Sequence, residues 1–258
     1  MSKKIKKWSL HILVWIAGLG VWHLLSLAYG PEILPGPIYT AKGGYELLMD
    51  GTLIQYIGIS SYRVLLGWTL GSLIAIPAGL IIGKVGQIRA FAEPFLNFIR
   101  FIPPIAFITL FLVWFGIGET SKVMLILYAT FFIVVINTLT GVLSVEEDKI
   151  RSARSMGASE WQIVQHVIIP ATIPFMFTGI RLAMGTSFMA IIGAEMIASN
   201  EGVGYLIWNS RLFFRTDWIF VGLICLGLMG FITDRAVGLL GRKLLSRYGV
   251  VSANSLRR

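Results

Sequence analysis

Stretches of about 20 apolar residues recur along the whole chain, and a hydrocarbon core needs roughly that length per spanning helix. Only helices and closed barrels satisfy every backbone group inside a membrane, and unbroken apolar runs without alternation select helices. About six spans are expected, near residues 8–28, 62–83, 99–115, 121–142, 173–198 and 218–240. The third has the loosest bounds, because Pro103-Pro104 breaks it and Arg100 sits beside the break. The chain is 56% hydrophobic and 14% charged, whereas about a quarter of the residues in a soluble domain are charged. The expected fold class is an all-α polytopic membrane protein forming a single transmembrane domain over residues 1–258.

Basic residues between the spans set the orientation. With the N-terminus inside, sixteen fall on the inner side: Lys3, Lys4, Lys6, Lys7, Lys84, Arg89, Arg100, Lys149, Arg151, Arg154, Arg235, Arg242, Lys243, Arg247, Arg257 and Arg258. Five fall outside, namely Lys42, Arg63, Lys122, Arg211 and Arg215, and Arg181 lies within a span. This positive-inside asymmetry puts both termini in the cytoplasm. The net charge of +9 thus reflects topology, and scattered basic residues give no stripe for nucleic acid. The first apolar run, of about 21 residues, exceeds the 7–15 of a signal-peptide core and reads as an uncleaved span. Cys225 is the lone cysteine, so neither a disulfide framework nor a cysteine metal site is expected.

Residues 144–170 are the polar exception, SVEEDKIRSARSMGASEWQIVQHVIIP, and the topology places them in the cytoplasm. Two capping boxes are expected there, Ser144 with Glu147 and Ser159 with Gln162. Gly157 supplies a stop and a bend between two short helices. In the first helix, Glu146, Glu147 and Asp148 precede Arg151 and Arg154, the order that suits the helix dipole. The second is expected to present Trp161, Val164, Val167 and Ile168 as an apolar stripe. A bent helical pair held outside the membrane is suited to docking a water-soluble partner.

Within the spans, Gly67, Gly71, Ala75, Gly79 and Gly83 recur every four residues, as do Ala190, Ala194 and Ala198. Such faces let helices approach closely, either in static packing or as a sliding or dimer surface. Arg181 and Glu195 share a span but are separated by about 21 Å along it, so they do not pair within one straight helix. Arg181 either snorkels or serves the pathway or its inner gate, and Glu195 is either a structural hydrogen-bond partner or a gate residue. Asp234 with Arg235 reads as an interfacial pair. Gly79 to Lys84 falls one residue short of a P-loop and ends in Val85, so no ATP site is expected in this chain. Gly202-Val203-Gly204-Tyr205 reads as a turn, and neither the three histidines nor any catalytic constellation argues for an enzyme.

Ala153, Gly157, Val167, Ile169 and Pro170 fall at the spacing of the EAA motif of ABC-importer membrane subunits. Arg151 and Ser152 depart from its Glu and Ala, and Val167 and Ile169 replace its Ile and Leu. Ile102-Pro103-Pro104-Ile105-Ala106, Trp114 to Glu119, Ser155 to Ser159 and Gly193 to Ile197 extend the resemblance, over about Leu34 to Arg247, to the permeases for nitrate, sulfonates and taurine. That resemblance implies a type I importer fold in a bacterial inner membrane and a second permease copy as dimer partner. It also implies two cassette ATPases that bind ATP and Mg, and an external solute-binding protein. Ala153, Arg154, Met156, Gly157, Ala158, Ser159 and Trp161 would then form the ATPase-coupling element. Arg181, Met184, Phe188 and Glu195 are candidates for the translocation pathway, with Phe101, Phe107 and Met189 beside them. The expected cargo is a small anion such as nitrate, taurine or an alkyl sulfonate. An ion-coupled secondary carrier, the alternative, would show inverted repeats and a polar midplane cluster, and neither is evident in the sequence.

Overall fold

The computed structural model describes residues 2–248, with side chains described for 13–243 and 245–248. Arg257 and Arg258 of the inner-side count lie outside the described residues, as do the side chains of Lys3, Lys4, Lys6 and Lys7. Among the described residues the ordered elements are all helical. In chain order they are α1 (Ser2–Tyr29), α2 (Pro37–Met49), α3 (Thr52–Lys84), α4 (Gly86–Ile99), α5 (Ile108–Phe115), α6 (Glu119–Leu143), α7 (Glu147–Ser155), α8 (Glu160–Ile163), α9 (Ile169–Ala198), α10 (Val203–Ser210) and α11 (Thr216–Leu245).

The core is a row of three long helices, α3, α6 and α9, with α6 in the middle. The small-residue stripe of α3 makes this approach possible. Gly67 lies against Ile126, Gly71 against Thr130, Gly79 against Thr138 and Gly83 against Val142. A Cβ on Gly71 would come 2.8 Å from the Thr130 Cβ and 2.9 Å from the Leu127 carbonyl oxygen, closer than carbon atoms sit in packed proteins. The stripe is therefore used up by static packing inside one protomer. Ala190, Ala194 and Ala198 are likewise buried. Two polar contacts join the row: Thr130 and Ser187 share a hydrogen bond of 3.0 Å, and the Trp68 indole N–H donates to the Ile180 carbonyl at 2.9 Å.

Among the described residues, four helices are long and apolar enough to cross a membrane: Thr52–Lys84, Glu119–Leu143, Glu160–Ala198 and Thr216–Lys243. The expected first span falls in α1, of which the described apolar part, Leu13–Tyr29, is shorter than a full span; its Trp22 stacks on Phe220 at 5.8 Å and donates to the Pro35 carbonyl at 3.0 Å. The expected third span is corrected. Residues 99–115 are not one helix, because α4 and the segment Pro104–Phe115 meet at 93°. Pro103 and Pro104 lack backbone N–H groups, and each also disfavours helix in the residue before it. At eight residues α5 spans about 12 Å, too short to cross alone.

α8 runs into α9 through a π-helical turn, Val164–Ile168. The Pro170 ring would collide with the carbonyl four residues back, that of His166, and a wider turn relieves it. At the other end of the molecule, α2 packs along α11. Arg215 reinforces that joint, bonding Asp217 at 2.9 and 2.7 Å and Glu46 at 2.5 Å. The hydrogen bonds to Asp217 raise the pKa of the Arg215 guanidinium above its ordinary value.

Candidate functional site

The bent pair expected at 144–170 is present at one end of the spans. α7 closes in a full Schellman motif: the Ala158 N–H donates to the Ala153 carbonyl at 3.1 Å, and the Gly157 N–H to the Arg154 carbonyl at 3.0 Å. Gly157 takes φ +81°, where L side chains are strained. The chain then enters α8 through the second expected capping box. The Ser159 hydroxyl accepts from the Gln162 N–H at 3.3 Å, and the Gln162 side chain accepts from the Ser159 N–H at 2.7 Å.

The first expected box is absent. Ser144 caps the C-terminus of α6, with its hydroxyl donating to the Gly141 carbonyl at 2.8 Å. Glu146 occupies the N-cap of α7 without a side-chain bond to the capped amides and pairs with Lys149 at 3.2 Å, while Glu147 pairs with Arg151 at 2.8 Å.

Buried side chains anchor the element. Ile163 and Ile168 pack with Val142, flanked by Leu80, Ile150, Ala153, Ala158, Val164 and Val167. Arg154 bonds Glu160 across the bend at 2.7 Å, and Lys84 at the end of α3 reaches the Glu160 carbonyl at 3.2 Å. The expected stripe is split, with Ile168 buried, Val164 and Val167 half-buried and Trp161 turned outward. Trp161 is 65% exposed, and Ile163 takes the inward position, because one helical turn between Ser159 and the π turn carries residue 163 toward α6. Met156, at the tip of the bend, is 87% exposed. Ala153, Met156, Gly157, Ala158, Gln162, Ile163, His166 and Val167 line a shallow hollow of about 390 Å³. The seven residues expected for coupling thus sit together, with Arg154, Met156, Gly157, Ser159 and Trp161 exposed and Ala153 and Ala158 half-buried.

The opposite end holds a buried charge cluster that sequence reasoning missed. Arg63, counted as an outer-side residue, has no exposed side-chain area. It bonds Glu119 twice at 2.6 Å, Glu195 at 2.7 Å, the Glu201 carboxylate at 3.3 Å and the Glu201 carbonyl at 3.1 Å. Glu195, equally buried, also accepts from Ser60 at 2.8 Å and from the Gly204 N–H at 2.9 Å. Lys122 reaches Glu119 at 3.0 Å. This network binds α3, α6, α9 and the loop before α10. The available signal was the apolar pattern N-terminal to residue 62: α3 starts at Thr52, which puts Arg63 well inside it.

Of the four pathway candidates, Met184, Phe188 and Glu195 are buried in the protomer and present no surface to a passage in this conformation. Arg181 differs. It bonds Asp234 on α11 through three contacts of 3.0, 2.7 and 2.7 Å. Asp234 was expected to pair with Arg235, but that guanidinium instead lies over the Phe231 ring at 5.0 Å. Arg181 and Glu195 do not meet, as their spacing required.

The family model for binding-protein-dependent transport system inner membrane components matches residues 75–246. The chain belongs to this family of ABC-transporter permeases. The permease is 36% identical to a probable ABC transporter permease protein of Brucella melitensis, over 95% of this chain and 99% of that one. It is 35% identical to the taurine transport system permease protein of Escherichia coli, over 89% of this chain and 86% of the relative. Its fold matches an inward-facing MetNI methionine ABC transporter with a TM-score of 0.60 at 18% identity, covering 72% of this permease and 94% of that chain. The type I importer fold expected from sequence agrees with that match. A multi-pass transport component of the inner membrane follows from the family and the apolar helices.

Proposed function

We propose that this permease works as a homodimer, carries two cassette ATPases on residues 144–170, and imports a small oxyanion handed over by an external binding protein. ATP and Mg belong to the ATPase partner. The bent pair carries the reading: its inner face is locked to α3 and α6, and its outer face offers Met156, Trp161 and a hollow beside a glycine bend. An exposed apolar tip on a rigid mount is what a docking element requires. Movement of the ATPases would then pass through Ile163 and Ile168 into the long helices without loss in a soft loop.

Orientation follows from the charges. The end carrying Lys84, Arg151 and Arg154 faces the cytoplasm by the positive-inside rule, so both termini are cytoplasmic and the Arg63 cluster faces outward. Arg181, the accessible pathway candidate, lines the passage. The cargo is read from the resemblance to nitrate, sulfonate and taurine permeases, supported by a relative named for taurine transport. Purification in mild detergent with the neighbouring gene products tests the reading. Co-elution of a P-loop ATPase and ATP-dependent uptake of taurine, an alkyl sulfonate or nitrate are expected. A permease that elutes alone would overturn the coupling reading.

A further inference from the structure

The Arg181–Asp234 pair is out of place as a structural salt bridge. Each side chain remains 42% exposed on the protomer surface, although the pair joins two spans. Arg181 lies twelve residues into α9, about 18 Å along it. A charge facing hydrocarbon is expensive and is normally turned to water or a partner. On the row through Arg181 the exposed positions of α9 are Thr178 and Gly185, with Leu182 exposed beside it. The exposed charge pair itself marks this row as one that meets water or a partner.

The local charge balance favours an anion. Arg235 adds a second guanidinium on the same turn of α11 and, among the described residues, has no carboxylate partner. Arg235 thus adds positive charge one residue along the chain from the pair, with its guanidinium over Phe231. Gly238 lies against Arg181, where an added Cβ would stand 3.6 Å from the guanidinium carbon, in van der Waals contact, so the glycine keeps bulk off the guanidinium. A guanidinium presents parallel N–H donors to two oxygens at once, a geometry that carboxylate, sulfonate, nitrate and bicarbonate all match. Arg63 has the same chemistry but is sealed by Glu119 and Glu195.

Resting on the pathway reading above, we propose that Arg181 and Asp234 form an exchangeable oxyanion site, in which the oxyanion group of the solute replaces the Asp234 carboxylate on the Arg181 guanidinium. Asp234 keeps Arg181 paired while the passage is empty, and the solute releases it. A solute without a pair of anionic oxygens cannot make the exchange.

The test uses the copurified complex in phosphatidylcholine nanodiscs, with Cys225→Ser removing the native thiol and Asp234→Cys introducing one. Mixed-disulfide formation at that thiol, with methanesulfinate as leaving group, is timed with 2-sulfonatoethyl methanethiosulfonate and with its trimethylammonium counterpart. The sulfonate reagent is expected to react about tenfold faster at low salt, given the strength of a charge pair a few ångströms apart in water. Adding Arg181→Gln should bring the ratio near one, and millimolar taurine or nitrate should slow the sulfonate reagent. Equal rates in the presence of Arg181, or labelling only by lipid-soluble N-ethylmaleimide, would overturn the site. Slowing by phosphatidylglycerol but not by taurine or nitrate would also overturn it, marking a lipid phosphate instead. If Asp234→Cys does not insert, Gly238→Cys repeats the comparison with the pair intact, and a preference for the sulfonate reagent that Arg181→Gln removes is again required. The ATPase in the same preparation reports separately on the permease reading.

Discussion

Arg63 and Glu195 lie 132 residues apart in sequence and meet at 2.7 Å, with neither side chain exposed. The pair ties the N-terminal half of α3 to the last turn of α9. Ser60 on α3 and the Gly204 N–H fill the remaining acceptor positions of the carboxylate. Burying two charges is favourable only when each is this fully bonded.

Removing one partner should therefore be costly. Arg63→Gln is expected to destabilise the protomer by about 3–5 kcal/mol, because Glu195 is left buried without a cation, and Glu195→Gln should cost less, because Arg63 keeps Glu119 and Glu201. Arg63→Met combined with Glu195→Leu should cost less than the two single changes summed. Thermal melting in detergent, followed by loss of the monodisperse peak, measures both. Single variants that melt like the parent would show that the pair contributes nothing.

The glycine stripe gives a contrast between two glycines in spanning helices. Gly79→Leu would drive a side chain into Thr138 and the Val135 carbonyl, so overpacking of about 1–3 kcal/mol or more is expected. Gly185→Leu meets nothing within 4 Å inside the protomer and should leave its melting unchanged. If Gly185→Leu nevertheless abolished uptake, that would place residue 185 on a surface used between protomers or by the solute.

At the bend, Gly157→Trp should insert and keep ATPase association measurable but uncouple hydrolysis from uptake. The added side chain has room within the protomer, so its effects come from a backbone at φ +81° and from the bulk placed at the docking tip. Normal uptake by this variant would refute the coupling role of the bend.

Ser159→Ala removes an observed cap and should cost about 1 kcal/mol locally. Hydrogen exchange at residues 159–163 is the appropriate readout, with roughly fivefold faster exchange expected from that energy. Ser144→Ala should leave the amides of α7 unchanged, since Ser144 bonds backward to Gly141. Equal responses at the two serines would contradict the capping assignment.

Much of the fold was legible because it rests on interactions within a few residues. Hydropathy located the long helices, Gly157 marked the bend, and Ser159 with Gln162 announced a real N-terminus. The same local pattern failed at Ser144, where α6 runs to Leu143 and claims the serine as its C-cap. It failed again at 99–115, where apolar composition persists through a proline break that composition does not register. The stripe of Trp161, Val164, Val167 and Ile168 is split between an outward and an inward side, because the chain makes one α turn and then a π turn before Pro170.

By itself the sequence determined an all-helical membrane protein with charged residues sorted to its two ends and a bent polar pair at one of them. Solvent preference and capping are local, so a linear reading suffices for them. Only the tertiary structure decided which charge meets which: Arg63 with Glu195 and Glu119, and Arg181 with Asp234. Ion pairs between spans depend on how α3, α6, α9 and α11 are set side by side. That arrangement comes from small-residue faces fitting opposing side chains, a matter of shape across more than a hundred residues, which spacing along the chain does not express.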